Sequence, residues 1–386
     1  MKFNQVEFLA KRNELKSLVD TANIPKISDI TDLILIVGSS RSGSSSLHKI
    51  LSSHPQINAL SGEDSTYSKI FSGCEVNLAN INDSLAHSHN SIRNGMELLI
   101  SEVGRSSDEK INAHDWLMRF SLQWPLFFLK TSNEELLKLA SNFLSYENFL
   151  SQFDIDLNLY ENNTNSSEFK PEIIIEDLPF IFPSKRIFQK ENRNILLLKA
   201  SSNVYRLKEI EQIFSKAKIH YLYTNRNPEE CINGLYDGWK SNGFHSYKIT
   251  NTELNITEYD SKNWWKFDLP PGWNDYSQSH LLEVCRFQWK SANQYALNHL
   301  KKRKFFTLKY QQLFSPNDLF KNLNTFLKHL DLVPLKPETT IPRAMTTELP
   351  QLDRWKKRES EILKFTKELE TQGLKKEIME LPFENN

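Results

Sequence analysis

Glycine is scarce in this chain: an average content of about 7% would give roughly 27 in 386 residues, and there are 11. Cysteine is scarcer. The three cysteines, Cys74, Cys231 and Cys285, are scattered and odd in number, which fits neither a disulfide framework nor a metal-ligand spacing and suits a reducing compartment. Charge of one sign is also missing, because 48 basic and 48 acidic side chains cancel. No global field therefore draws the chain to nucleic acid or an anionic membrane, and any anion site has to be a local cluster. Long apolar runs are absent too: the stretch 33–37 is far short of a membrane span, and residues 1–29 mix charges with single apolar side chains. A cytoplasmic location is the expectation. In that setting the sequon at Asn255-Ile256-Thr257 reads as chance.

The 39% hydrophobic content is enough for a substantial core. Five short apolar runs bounded by turn formers, at 33–37, 57–60, 195–198, 219–223 and 304–308, predict buried strands. Apolar residues at helical spacing in 44–52, 204–214 and 319–330 predict helices between them. This alternation predicts an α/β fold with a central, mostly parallel sheet covered on both faces. Two stretches interrupt it: 65–193, helical by pattern, and 244–280, aromatic, with Trp264, Trp265, Phe267, Trp273 and Tyr276. Read as one domain over 1–386, the chain would use the first as a helical insertion shaping an acceptor site and the second as an aromatic insertion or lid. Ligands of open α/β sheets bind beyond the C-terminal strand edges, where such insertions emerge.

At 38–47 the chain reads G-S-S-R-S-G-S-S-S-L, between a predicted strand and a predicted helix. Backbone N–H groups of such a turn, together with a helix N-terminus, cradle phosphate oxygens. Taken alone the loop also suits a tight, serine-capped turn. A nucleoside triphosphatase loop would carry lysine after its second glycine, and here that residue is Ser44, which disfavours a magnesium-dependent kinase. Arg41 is the loop's cation.

These residues resemble the G-x-P-R-S-G-T-T-x-L loop of the bacterial and Golgi-type sulfotransferases that use 3'-phosphoadenosine 5'-phosphosulfate (PAPS), with Ser40 in place of the proline and Ser44 and Ser45 in place of the threonines. His54-Pro55 follows, as in that family. The stretch 194–228 is similar to the family's strand, Lys-x-x, helix, strand, Arg-Asn-Pro unit, and 305–327 resembles its Tyr-containing turn and following helix. The resemblance covers 31–64 and 194–240, and more weakly 282–358, and implies the P-loop-like sulfotransferase fold.

Carried over position by position, the resemblance implies that Ser39, Ser40, Arg41, Ser42, Gly43, Ser44 and Ser45 bind the 5'-phosphosulfate. Lys199 would face the transferring group, and Arg226 the 3'-phosphate, which a planar guanidinium meets through two parallel hydrogen bonds. The family places a serine eight residues after that arginine, where this chain has Gly234, so Asn233, Tyr236 or a backbone N–H would substitute. Tyr310 would approach the nucleotide, unless it only fills core. The basic run 354–358 reads as a solvated helix face. Sulfuryl transfer needs positioning, fixed cations and a base for the acceptor proton, and no metal is required. By resemblance the base is Glu63, with Asp64 in reserve and His114 third; Glu63, Lys199 and Arg41 form the catalytic set. PAPS would be donor and adenosine 3',5'-bisphosphate the product. The expected partner is a small-molecule acceptor, with room for a homodimer and no nucleic acid. The alternatives are a small-molecule kinase and an inactive nucleotide-binding relative.

Overall fold

A computed structural model describes residues 5–17, 26–59, 63–64, 93, 95–97, 99–100, 121, 125–141, 193–241, 244, 246–249, 252–337, 341–342, 344–347 and 349–385. In chain order the elements are α1 (Gln5–Ser17), β1 (Asp32–Val37), α2 (Ser44–Ser52), β2 (Ile57–Ala59), α3 (Pro125–Lys130), α4 (Asn133–Ser141), β3 (Ile195–Lys199), α5 (Leu207–Ile213) and β4 (Lys218–Asn225). They continue with α6 (Pro228–Lys240), β5 (Ser246–Lys248), β6 (Trp264–Lys266), α7 (Leu281–Leu300), β7 (Phe305–Lys309), α8 (Pro316–His329), α9 (Glu359–Thr371), α10 (Leu374–Met379) and β8 (Glu384–Asn385).

Six strands form one sheet in the order β2-β3-β1-β4-β7-β8. The first five run parallel and β8 closes the edge antiparallel to β7. The alternation of residues along β1 decides the layering: Leu33, Leu35 and Val37 enter one apolar cluster, Ile34 and Ile36 the other. All are buried, as a strand covered on both faces requires. Helices α5, α6 and α7 cover the first face, and α2 and α8 the second. The five expected strands all form. Lys199 and Lys309, outside the apolar runs, extend β3 and β7 by completing the pairing of their neighbours. The helix expected over 204–214 is split by Arg206 into a 3-10 turn (Ser201–Tyr205) and α5.

Since β1 lies between β3 and β4, the chain leaves its C-terminal end at a point where connections diverge to both sides, and such a switch point opens a crevice. Most of 65–193 lies outside the described residues. The described helices α3 and α4 fall within it, and Phe128 of α3 meets Phe8 of α1 edge to face at 5.6 Å. In the 244–280 stretch, Trp265 and Trp273 are fully buried, and Trp239, Trp265 and Trp273 pack edge to face.

Candidate active site

The chain leaves buried β1 at Gly38, where a Cβ would stand 2.3 Å from Thr224 Oγ1 and 2.6 Å from the Thr224 carbonyl; only glycine lets β4 come this close. Ser42 Oγ then meets Thr224 Oγ1 at 2.6 Å and ties the loop to β4. Arg41 (φ 68°) and Gly43 (φ 93°) both take the left-handed conformation, which winds the loop tightly enough to open α2. At Gly43 a Cβ would meet Leu313 and Tyr310 at 2.8 and 2.9 Å. No side chain caps α2, so its first N–H groups are open to an anion.

Lys199 ends β3, nine-tenths buried, and its ammonium donates to Ser45 Oγ at 2.9 Å and to Glu63 Oε1. Three segments of the chain thus meet at one nitrogen. Arg226 follows β4. Its Nη1 donates to the Arg41 carbonyl at 2.8 Å, and its guanidinium lies 3.6 Å from the centre of the Tyr310 ring, a cation–π contact. Its buried Nε has no hydrogen-bond partner, with the nearest carboxylate oxygen, of Glu230, at 3.7 Å. Arg41 donates to the carbonyls of Gly234 (3.1 Å) and Met345 and stacks over Phe244 at 4.7 Å. Burial, and then the like charge of Arg226, lower the Arg41 pKa to about 10. Two guanidiniums thus gather positive charge at one place, with the buried Glu230 carboxylate 3.7 Å from Arg226 Nε, in a chain of zero net charge.

These groups open onto one cavity of about 320 Å³. Its charged wall is Ser40, Arg41, Gly43, Ser44, Ser45, Ser46, Glu63, Lys199 and Arg226. Phe244, Phe267, Tyr310, Leu313 and Phe314 supply rings and apolar surface, and residues within 341–350 form a further wall. Nine of the expected site residues therefore come together: Ser40, Arg41, Gly43, Ser44, Ser45, Glu63, Lys199, Arg226 and Tyr310.

Others do not. Ser39 is buried with its hydroxyl 3.5 Å from Cys231 Sγ, and Ser42 is taken by Thr224, so neither side chain lines the cavity. Asn233, expected at a phosphate, is buried in α6, where it donates to Asp237 and accepts from Arg358 at 2.6 Å. Tyr236 stacks with Arg358 at 4.4 Å. Neither lines the cavity. The register is nevertheless informative, since a Cβ at Gly234 would stand 3.3 Å from Arg226 Nη1 and 3.5 Å from Arg41 Cβ. A hydroxyl built on residue 234 would face the arginine pair. Asp64 turns inward, where Asn203 Nδ2 donates to both its oxygens at 3.1 and 3.0 Å; burial raises its pKa to about 6. His114 lies outside the described residues. His48, one turn beyond Ser45, is held neutral at neutral pH, because burial and then Lys199 lower its pKa to about 3.

The basic run is not uniformly solvated. Arg354 and Arg358 reach Asp237 at 2.8 and 2.9 Å, while Lys356 and Lys357 stay exposed. The buried acid on α6 draws in the two arginines, and Lys357 also approaches it, at 3.6 Å. The sequence reading also missed Asp268, fully buried and bonded to Ser40 and Tyr205. Its signal was a single acid inside the apolar run 264–273, where a buried polar group needs partners.

A mostly parallel sheet covered by helices, with a glycine turn at its switch point and three cations lining one cavity, places the chain in the α/β class. The model of the sulfotransferase family matches residues 33–333, and the chain belongs to that family. Among solved structures it is similar to the sulfotransferase STF1 from Mycobacterium tuberculosis, at 11% identity and a TM-score of 0.35, over 85% of this chain and 73% of that one. No curated protein matches the chain.

Proposed function

We infer that the protein transfers a sulfuryl group from PAPS to a hydroxyl or amine of a small-molecule acceptor. The observation that carries this reading is the meeting of Arg41, Lys199 and Arg226 with the α2 N-terminus in one cavity. The residues suit the donor: Arg226 keeps a buried Nε–H without a hydrogen-bond partner, and no side chain caps the α2 N-terminus. Arg41, expected at the 5'-phosphosulfate, lies beside Gly234 and Arg226 and would join Arg226 at the 3'-phosphate, leaving the α2 amides, Ser44 and Ser45 for the 5'-phosphosulfate. PAPS supplies an activated sulfuryl group for in-line displacement.

Lys199 would be the fixed cation that neutralises charge at the transferring group. Glu63, held by the same ammonium at the cavity wall, would take the acceptor proton. Phe244 and Phe267 would bound the acceptor, a flat or apolar molecule. Of the alternatives, a kinase would want a cation where Ser44 stands, and nothing at the site favours it. A radiolabelled transfer screen over phenols, sterols and amino sugars tests the reading. Label moving from PAPS to any of them supports it. Tight bisphosphate binding without transfer to any acceptor would favour an inactive nucleotide-binding relative instead.

A further inference from the structure

Asp268 is the acid that the aromatic stretch sends inward, and it is fully buried. Each oxygen accepts one hydroxyl, Oδ1 from Ser40 at 2.8 Å and Oδ2 from Tyr205 at 2.6 Å. Ser40 belongs to the loop after β1, and Tyr205 to the turn that follows β3 and Lys199. One carboxylate therefore links the loop that carries Arg41 to the turn that follows Lys199. Buried charge without an ionic partner is tolerated only where its hydrogen bonds are good, so both bonds are expected to be firmly held.

The backbone around Asp268 is fixed independently of the loop. Its carbonyl accepts from Trp265 Nε1 at 2.9 Å and from Gln288 Nε2 at 2.8 Å, and the same Gln288 nitrogen donates to the Lys266 carbonyl. Trp239 Nε1 donates to Gln288 Oε1 at 2.9 Å. Phe267 adopts φ 66°, sparsely populated for a residue with a side chain, and its ring fills a notch at Gly238, where a Cβ would lie 2.3 Å from the ring tip. Such a conformation persists only where the surroundings over-determine it. Residues 265–268 thus form a strut that presents Phe267 to the cavity and Asp268 to the loop.

The loop itself has little to hold it at position 40. Serine stands there, without the fixed φ that a proline would bring. Its hydroxyl is turned to Asp268, and its carbonyl accepts from Cys231 Sγ at 3.2 Å. We propose that Asp268 is a positioning residue: through Ser40 it holds the backbone of residues 39–43 in its phosphate-receiving form and ties the aromatic wall to that loop. The word "phosphate" rests on the donor reading above, whereas the coupling between Asp268 and the loop does not.

The experiment compares wild type, S40A, D268N and the double variant by two readouts. One is amide hydrogen exchange across 39–45 in the ligand-free protein, and the other is calorimetric affinity for adenosine 3',5'-bisphosphate. Each single substitution should speed loop exchange and weaken affinity about tenfold. The double should do no worse than the worse single, because both act through one hydrogen bond. Losses that multiply, or an unchanged loop in S40A, would overturn the proposal. Should D268N not fold, S40A against S40T decides: the hydroxyl-bearing variant should keep wild-type exchange, and equal loosening of both would defeat the idea. A wild type that gives no heat with the bisphosphate defeats the donor reading, and hydrogen exchange still decides on Asp268.

Discussion

On its charged side the cavity is walled by three strand ends, those of β1, β3 and β4, each leading into a turn or helix that sets a cation or an amide. On its apolar side it is walled by residues from 244 to 350 that belong to no single motif. The first side is dictated locally: a buried parallel strand can only end at the sheet's C-terminal edge, so Lys199 and Arg226 have little choice of where to point. The second depends on long-range packing, such as Phe267 in the notch at Gly238. A site can thus keep its donor chemistry in fixed junctions while its other wall varies in sequence.

The largest effect expected from this division lies on the charged side. Glu63→Gln should lower sulfuryl transfer about 10²–10⁴-fold with bisphosphate affinity nearly unchanged, as read by steady-state rates beside calorimetry. Retained turnover would remove Glu63 as the base.

Next comes a pH effect shared by the two sides, since each carries one buried acid. Burial raises Asp64 and Asp268 from 3.8 to about 6, opposed by hydrogen bonds from Asn203 in one case and from Tyr205 and Ser40 in the other. The native state then holds protons that the unfolded chain releases, so the stability they confer is full below about pH 4 and is lost as pH rises through 6. The scale is up to about 3 kcal/mol for each group. Glu211, half-buried and drawn down to about 2 by Arg303 and Tyr221 against the opposing effect of its burial, acts in the opposite sense, its contribution being lost below its ordinary range as pH falls. Denaturant unfolding at a series of pH values should show the slope between 4 and 6, and D268N should flatten it.

Smaller again is Arg226→Ala, which should weaken bisphosphate binding about 10–100-fold, as expected for charge-assisted hydrogen bonds. Smallest is Phe244→Leu on the apolar side. Removing the ring beneath Arg41 should cost about 2–5-fold in the same affinity by titration, the scale of an exposed cation–π contact. A larger loss would mean that the two sides are less separate than the fold suggests.

The sheet was readable because β1, β3 and β4 are near-continuous apolar runs, which only a doubly covered parallel strand explains. Family membership was readable because Gly38, Gly43, Lys199 and Arg226 sit at fixed distances from those strand ends. That Asn233 lies off the cavity was not readable, since spacing along α6 does not say which face is buried, and Asp237 turns that face toward Arg354 and Arg358. Met345 and Asp268 left almost no local trace: they reach the site by tertiary contact with Arg41 and Ser40, and no period or motif encodes such a contact.

The convergence of two guanidiniums beside Gly234 is the centre of the account, and calorimetry tests it most directly. Adenosine 3',5'-bisphosphate should bind wild-type protein at least tenfold more tightly than adenosine 5'-monophosphate, with the difference shrinking in added salt. Equal affinity for the two, or no heat from either, would contradict it.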